Sequence, residues 1–214
     1  MEDVSQIFRK AQRHLARQDA TLKQLIKALG PCTLRHSSDR FGALVRSIIA
    51  QQISTKAAAA IAGRLEQAAG RRGITAARIL KMSQQALRQA GLSINKCTSL
   101  YDLAQKVHDG TVPLAEIHTL TDEEVIASLV PVRGIGRWTA EMFLIFSLGR
   151  MDILPVDDFG LRAGVRRQYG FKELPVRKQL ETLAEPWRPF RSIGTWYVWR
   201  SFGPVRQSEA VSSQ

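Results

Sequence analysis

Apolar residues recur at a helical spacing along almost the whole chain. Between residues 5 and 29 they follow a period of about 3.6 residues, and the run ends at Gly30 and Pro31, a helix stop signal. No run of alternating apolar and polar residues is long enough for a convincing strand. We therefore predict an all-α fold whose first helix spans residues 5–29.

The same periodicity predicts several shorter helices in the first half of the chain. Ser54 precedes an alanine-rich run and is of the residue type that caps helix N-termini. Loops between these elements are expected to be short. The predicted helices after the first are 40–52, an alanine-rich helix that follows the Ser54 cap and extends to residue 69, 75–81, 83–90 and 95–108.

A helix-hairpin-helix pattern occupies residues 121–148. Thr121 and Glu124 form a predicted capping box before an apolar run, so one helix begins there and ends at about Pro131. A second helix begins near Arg137 and ends before Gly149. Residues 132–136 between them, called the hairpin below, hold a Gly-x-Gly sequence that exposes helix N-terminal amides suited to a phosphate. A tight helix-helix turn without a ligand explains the same glycines.

Length and charge narrow the class of protein. The chain has 214 residues, of which 44% are hydrophobic, enough for one domain or for two small lobes that share a cleft. Lys and Arg number 31 against 19 Asp and Glu, which gives a net charge of +12 and a pI of about 10.4. Such a field attracts polyanions, so nucleic acid is the leading partner, with solubility or an acidic membrane surface as the alternatives.

Other features exclude whole classes of site. No apolar run approaches the roughly 20 residues that span a bilayer, and the N-terminal residues lack a signal sequence, so we expect a soluble, intracellular protein, in the cytoplasm or nucleoid, or in the nucleus of a eukaryote. Cys32 and Cys97 are too few for a disulfide framework, a four-thiolate zinc site or an iron–sulfur cluster. The four histidines lie in no metal-ligand spacing. We expect catalysis to require no cofactor.

Two adjacent carboxylates open a further predicted helix. Asp157 and Asp158 follow Leu154, Pro155 and Val156. Either aspartate could supply a carboxylate for chemistry. They could equally be an N-cap and a first-turn charge that interact with the helix dipole. The residues alone leave both interpretations open.

Four segments together resemble a known family: GIGRWTAE, LPVDDFGLR, LVRSIIAQQISTKAAAAIAGRL and PWRPFRSIGTWYVWR. They are similar to the helix-hairpin-helix (HhH-GPD) DNA glycosylase superfamily, and within it to the DNA-3-methyladenine glycosylase II branch, from about residue 38 to 203. The resemblance implies a two-lobed helical fold with a central cleft. One lobe is expected to hold residues 1–38 and 150–214, and the other residues 39–149, without the additional N-terminal β-domain of some members.

The resemblance also assigns roles to individual residues. The catalytic aspartate of the family lies 20 positions after the residue that is Trp138 here, which selects Asp158 and not Asp157. Strand-cutting relatives carry a lysine where Trp138 stands, so a monofunctional enzyme is implied. The implied base pocket contains Trp138 and Trp196, with Met142, Phe41 and Tyr197 as further candidates. Trp187 and Trp199 are expected to pack in the core.

Expected DNA contacts follow from the same resemblance. Gln52 is the candidate wedge that fills the space left by an extruded base, and the hairpin is expected to bind phosphates. The main-chain carbonyls of Val130, Val132 and Ile135 are expected to hold a structural Na⁺ or K⁺ ion. The full set of expected DNA-binding residues is Gln51, Gln52, Ser54, Arg133, Gly134, Ile135, Gly136, Arg137 and Thr139.

The function implied is excision of alkylated purines, of the 3-methyladenine and 7-methylguanine type, from double-stranded DNA. Such an enzyme extrudes the base, hydrolyses its N-glycosidic bond and so initiates base excision repair. The expected partner is duplex DNA that contains alkylated bases, and the expected state is a monomer without membrane contact. The alternative is a helix-hairpin-helix module that binds DNA without chemistry, since the hairpin and the basic charge explain binding alone.

Overall fold

Helices account for all the regular structure of the computed structural model, which describes residues 4–71 and 73–202. None of these described residues lies in a β-strand, so the predicted all-α class is confirmed. The α-helices are α1 Val4–Gln18, α2 Ala20–Leu29, α3 Arg40–Ala50, α4 Thr55–Ala69, α5 Ala76–Lys81, α6 Gln84–Gln89, α7 Ile94–His108, α8 Asp122–Leu129, α9 Arg137–Phe146, α10 Phe159–Tyr169, α11 Arg177–Ala184 and α12 Arg191–Arg200. Short 3₁₀ helices occupy Ile117–Thr119 and Glu185–Trp187.

The described residues divide into two compact units. The terminal unit holds residues 4–36 and 149–202, and the middle unit holds residues 37–71 and 73–148. The chain therefore leaves the terminal unit after His36 and returns to it at Gly149. The lobes expected from the sequence changed over at 38/39 and 149/150, and they included residues 1–3, 72 and 203–214, which lie outside the described residues.

Helix α12 is the centre of the terminal unit. It packs against α1, α2 and α10, and every residue from Ser192 to Trp199 is buried. A helix enclosed on all sides has no need of a polar face, which is why its hydrophobic residues do not segregate to one stripe. Gly164 of α10 allows close approach, because a Cβ there would clash with the Val198 side chain of α12.

Helix α3 has the corresponding place in the middle unit. It packs against α4, α7 and α9, and its residues Leu44, Val45, Ile48 and Ile49 are almost fully buried. Helices α8 and α9 pack against each other on either side of the hairpin. The middle unit therefore contains both the helix-hairpin-helix and the segment that directly follows α3.

The prediction of a single first helix over residues 5–29 is wrong. The chain forms α1 and α2 with a break at Asp19, where the backbone is extended. The Asp19 Oδ1 caps α2 by accepting the amide of Leu22 at 2.8 Å. The other carboxylate oxygen accepts the Tyr169 hydroxyl and the Trp187 indole N–H, each at 2.8 Å. Burial, together with the neighbouring Asp19 carboxylate, raises the pKa of Tyr169. An apolar period continues smoothly through the break, so periodicity alone missed it.

The helix caps predicted at Ser54 and Thr121 are confirmed. Ser54 accepts the amide of Ala57 at 3.3 Å, and Thr121 with Glu124 makes the full capping box.

No helix in the described part of the chain is long and apolar enough to cross a membrane. Groups of three or more His, Cys, Asp or Glu side chains that could hold a metal ion are also lacking among the residues described.

Candidate functional site

Asp158 is a buried carboxylate at the start of α10. Only 5% of its surface is exposed, and its Oδ1 accepts the amide of Leu161 at 2.5 Å as the helix N-cap. A carboxylate suits this position because unpaired amides and the positive end of the helix dipole favour negative charge. The N-cap interpretation is therefore correct as geometry, and burial makes Asp158 unlike an ordinary exposed cap.

Trp199 is a second group on the same carboxylate. Its indole Nε1–H donates to Asp158 Oδ1 at 2.8 Å, and the bond is buried. The sequence interpretation placed Trp199 only in the core, and it missed this contact because the two residues lie 41 positions apart. With two donors on one oxygen, the orientation of the Asp158 side chain is set by its surroundings.

Asp157 differs from Asp158 in its exposure and in its partner. It is exposed, and its Oδ2 lies 2.7 Å from Nη2 of Arg177 in a surface ion pair. An exposed pair of this kind is worth little energy and leaves the carboxylate in contact with water. The two aspartates therefore differ in burial and in partners, and the choice of Asp158 as the catalytic residue stays a prediction.

The hairpin between α8 and α9 is held by its main chain. Gly134 has a φ of +82°, a conformation that favours glycine. The amide of Arg133 donates to Asp102 Oδ2 at 2.7 Å, and the carbonyl of Gly134 accepts from Gln51 Nε2 at 2.6 Å. Sequence reasoning missed Asp102, which precedes Arg133 by 31 positions and belongs to α7.

The N-terminus of α9 is open to a ligand. Its N-cap is Gly136, which makes no side-chain capping bond. The same holds for Phe190 at α12, whereas the caps of α3, α4, α7, α8 and α10 each accept a backbone amide. Gly136 is exposed, so the first amides of α9 can meet an anion. Phosphate binding by these amides stays a prediction.

Several expected DNA contacts need correction. Arg137 is held by Glu123 at 2.6 Å and by Glu141 at 3.2 Å, so its guanidinium already binds two carboxylates. The hydrogen bond to Glu123 is the main reason that the pKa of Arg137 is raised. Thr139 and Ile135 are both buried, and the Ile135 amide already donates to the Val132 carbonyl at 2.9 Å, so neither side chain is placed to reach DNA. Arg133 is exposed, as expected.

Residues 51–54, called the turn below, follow α3 directly. Gln52 is exposed and has a φ of 58°, a left-handed conformation that is uncommon for residues other than glycine. The Gln51 side chain is directed to the hairpin by its bond to Gly134. Ser54 is exposed but uses its Oγ to cap α4. Gln52 is exposed, and its role as the wedge stays a prediction.

The candidate pocket residues fall in both units. In the middle unit, Trp138 is half-buried in the first turn of α9, Met142 lies one turn later on the same face, and Phe41 lies on the adjacent α3. In the terminal unit, Trp196 is 6% exposed, and the Arg200 guanidinium carbon lies 5.6 Å from its ring centroid. The meeting of these groups with Asp158 in one cleft stays a prediction.

Tyr197 is not suited to a base pocket. Its side chain is fully buried, and its hydroxyl donates to the carbonyl of Gly30 and accepts from Gln12 Nε2, each at 2.8 Å. Burial raises the pKa of this hydroxyl, so it stays protonated. These contacts tie α12 to α1 and to the end of α2, and the pocket assignment of Tyr197 is therefore wrong.

Comparison with known proteins decides the family. The HhH-GPD superfamily of base excision DNA repair proteins matches residues 45–189, which include the turn, the hairpin, α9 and Asp158. This chain belongs to the HhH-GPD superfamily. The superfamily assignment predicted from the four sequence segments is confirmed.

Similar proteins are known as sequences and as structures. The chain is 33% identical over 205 residues to DNA-3-methyladenine glycosylase 1 of Schizosaccharomyces pombe, covering 94% of this chain and 90% of that protein. The structure of that yeast enzyme, Mag1, with abasic DNA has a TM-score of 0.80 and covers 92% of this chain and 98% of that one. A Bacillus halodurans DNA-3-methyladenine glycosidase is 36% identical, with a TM-score of 0.82 and coverages of 91% and 89%.

The hairpin of this HhH-GPD protein has the donor chemistry for a monovalent cation. The three expected ligands are the main-chain carbonyls of Val130, Val132 and Ile135. The Val132 carbonyl accepts the Ile135 amide at 2.9 Å, and a carbonyl oxygen has a second lone pair that remains for an ion. Neutral oxygen ligands suit a hard cation. The binding of Na⁺ or K⁺ by these carbonyls stays a prediction.

Proposed function

We propose that this protein is a monofunctional DNA glycosylase of the DNA-3-methyladenine glycosylase II type, which releases alkylated purines from duplex DNA. The observation that carries the proposal is the buried Asp158 carboxylate with two donors on one oxygen, 20 residues after Trp138 in a chain of the HhH-GPD superfamily. The yeast and Bacillus relatives named for 3-methyladenine support the same substrate class.

The chemistry explains why one carboxylate suffices. Breaking an N-glycosidic bond leaves positive charge on the sugar, and a carboxylate held against that charge stabilises the transition state. Purines methylated at N3 or N7 already carry a positive charge, so they depart as neutral molecules without a general acid. In this proposal Asp158 stabilises the sugar cation and orients the attacking water, while Trp199 holds the carboxylate in place.

Aromatic side chains are proposed to bind the extruded base. Trp138 is half-buried, Met142 is buried one turn later on the same face of α9, and Phe41 is buried on the adjacent α3. A cationic base gains about 0.5–2 kcal/mol on an aromatic face. Trp196 is a weaker member of the set, because Arg200 already covers its ring and repels a second cation.

The proposed DNA grip combines main-chain amides with one wedge. The uncapped N-terminus of α9 and the amides of Gly134 and Gly136 bind phosphate, with a Na⁺ or K⁺ ion on the hairpin carbonyls as a structural partner. Gln52 enters the stack when the damaged base leaves it. Extrusion costs a few kcal/mol and costs least for poorly paired bases, which favours damaged DNA. We propose that the protein acts on DNA as a monomer.

Release of free base is the experiment that tests the proposal. Duplex DNA treated with a methylating agent is incubated with the wild-type protein, and free 3-methyladenine and 7-methylguanine are separated by chromatography. We expect base release by the wild-type protein, together with abasic sites in equal number. Tight binding to the duplex without any base release would instead support the non-catalytic DNA-binding module.

A further inference from the structure

Helix α7 presents a polar face to the two loops that are proposed to contact DNA. Lys96, Ser99, Asp102 and Lys106 recur every three or four residues along it, which places them on one side of the helix. The sequence analysis assigned no role to any of them. Ser99 is buried and the other three are partly buried.

Lys96 holds the end of α3 that leads into the turn. Its ammonium donates to the carbonyl of Ile49 at 2.6 Å and to that of Gln51 at 2.8 Å. The last carbonyls of a helix lack partners within the helix, and a cation at this end also interacts favourably with the helix dipole. Burial lowers the pKa of Lys96, and the two carbonyls replace water that the ammonium has lost.

Asp102 and Ser99 hold the hairpin. One carboxylate oxygen of Asp102 accepts the amide of Arg133 at 2.7 Å, and the other is paired with the ammonium of Lys106. Burial opposes ionisation of Asp102, but the amide of Arg133 and the charge of Lys106 outweigh it, so its pKa is lowered. The Ser99 hydroxyl lies against Gly134, 3.1 Å from the point where a Cβ would be.

The turn and the hairpin are also joined directly. The Gln51 side chain donates to the Gly134 carbonyl at 2.6 Å. The main chain of Gln51 is held by Lys96, and the residue before Gly134 is held by Asp102. Three contacts therefore connect α7, the turn and the hairpin in a closed loop, and all of these residues belong to the middle unit.

We propose that Asp102 is a positioning residue for the phosphate-binding hairpin, and that the polar face of α7 sets the turn and the hairpin in one fixed relation. The proposal rests on the function proposed above, in which both loops contact DNA. A carboxylate beside a phosphate site repels the ligand, and Lys106 offsets that charge. With the amide of Arg133 unanchored, Gly134 would let the hairpin adopt other conformations, and binding would have to select the productive one.

The test compares two substitutions of similar size. Asp102→Asn keeps an oxygen that accepts the Arg133 amide, whereas Asp102→Leu removes it. The Kd is measured for duplex DNA with an abasic site, and the excision rate is measured in single turnover at saturating DNA. We expect Asp102→Leu to weaken binding about 3- to 30-fold and Asp102→Asn to restore most of that loss. The saturated rate should stay within about twofold, because Asp158 is unchanged.

Asp109→Leu is the matched control. Asp109 follows the last residue of α7, is exposed, and accepts hydrogen bonds from the nearby Thr111 amide and Gln105 side chain. Its variant should bind DNA as the wild-type protein does. The positioning role of Asp102 is refuted if Asp102→Leu binds DNA within twofold of wild type, or if Asp109→Leu loses as much DNA affinity as Asp102→Leu. If the wild-type protein itself fails to bind the duplex, it is the proposed function that fails.

Two further measurements distinguish positioning from folding. Hydrogen exchange of the Arg133 amide should accelerate in Asp102→Leu but not in Asp102→Asn, while amides of the α3 core keep their protection. If Asp102→Leu does not fold, a folded Asp102→Asn with wild-type affinity supports the proposal, and one with a loss above about 30-fold contradicts it.

The coupling of the two loops has its own test. In a double-mutant cycle, Lys96→Met and Asp102→Leu should weaken DNA binding by less together than the product of their separate effects, because either change releases the same joined pair of loops. If the double variant loses DNA affinity by the product of the two single losses, within about twofold, Lys96 and Asp102 act separately.

Discussion

Replacing Asp158 by asparagine should remove catalysis and leave the fold in place. The amide has the shape of the carboxylate but no negative charge to oppose the sugar cation. Groups that stabilise developing charge in a buried site contribute about 3–4 kcal/mol, so excision in single turnover should fall by at least about 100-fold. Affinity for an undamaged duplex should change little, because the hairpin and the turn belong to the other unit.

The effect on stability follows from the two bonds to Asp158 Oδ1. Asparagine caps helices about as well as aspartate, and its carbonyl can still accept from Leu161 and Trp199. Hydrogen bonds to a charged acceptor exceed neutral ones by roughly 1 kcal/mol, so Asp158→Asn should cost at most about 2 kcal/mol. Asp158→Ala leaves two buried donors without an acceptor, which costs about 2–6 kcal/mol. The two variants therefore separate chemistry from folding.

Two controls use aspartates of the same chain. Asp39 is also an N-cap, accepting the amide of Gly42 at 2.9 Å, and Asp157 adjoins Asp158. Asp39→Asn and Asp157→Asn should each keep excision within about threefold of wild type. Rates are measured with enzyme in excess over an alkylated duplex, and stability is measured by urea unfolding. Wild-type excision by a folded Asp158→Asn protein would refute the mechanism.

Three other predictions concern strand cutting, the core and pH. Because Trp138 cannot form an imine, alkylated duplex should stay unnicked until alkali is added, and borohydride should trap no covalent adduct; trapping in proportion to excision would contradict this. Asp19→Ala should lower the free energy of unfolding by at least about 3 kcal/mol, measured in urea, because Tyr169 and Trp187 lose their acceptor along with an α2 amide; a loss below 1 kcal/mol would show that the network is unimportant. Burial lowers the pKa of His36, so its contribution to stability is complete above the unfolded pKa of about 6.5 and is lost as pH falls from that value through the lower folded pKa; urea midpoints at pH 7.5 and 5.5 should show the start of this loss, and His36→Gln should reduce it.

The features predicted correctly from the sequence depend on neighbouring residues. The capping box at Thr121 and the cap at Ser54 join residues three positions apart, so the pattern contains both partners. The break at Asp19 was missed although its bond to the Leu22 amide is a local cap, because the apolar period continues through the break. The bonds that Asp19 accepts from Tyr169 and Trp187 join residues 150 and 168 positions apart. No local pattern records such a contact.

The candidate site shows the same division. Trp138 and Asp158 could be selected by their spacing within a family motif, which is a property of the chain. The sequence could not show whether Arg137 is available to DNA, because that depends on its ion pair with Glu123, which belongs to a different helix. Tyr197 has the residue type of a pocket, and only its burial against Gly30 shows that it serves the core.

The sequence by itself determined the helical class, the helix-hairpin-helix and the candidate aspartate. Helix period, caps and motif spacing are patterns among residues that lie close together in the chain. The tertiary structure alone decided which side chains hold that site: Trp199 on Asp158, and Asp102 on the amide of Arg133. Hydrogen bonds are directional and reach only about 3 Å, so they form between distant parts of the chain only when packing brings the atoms together. That packing is a property of the whole fold, and no single segment contains it.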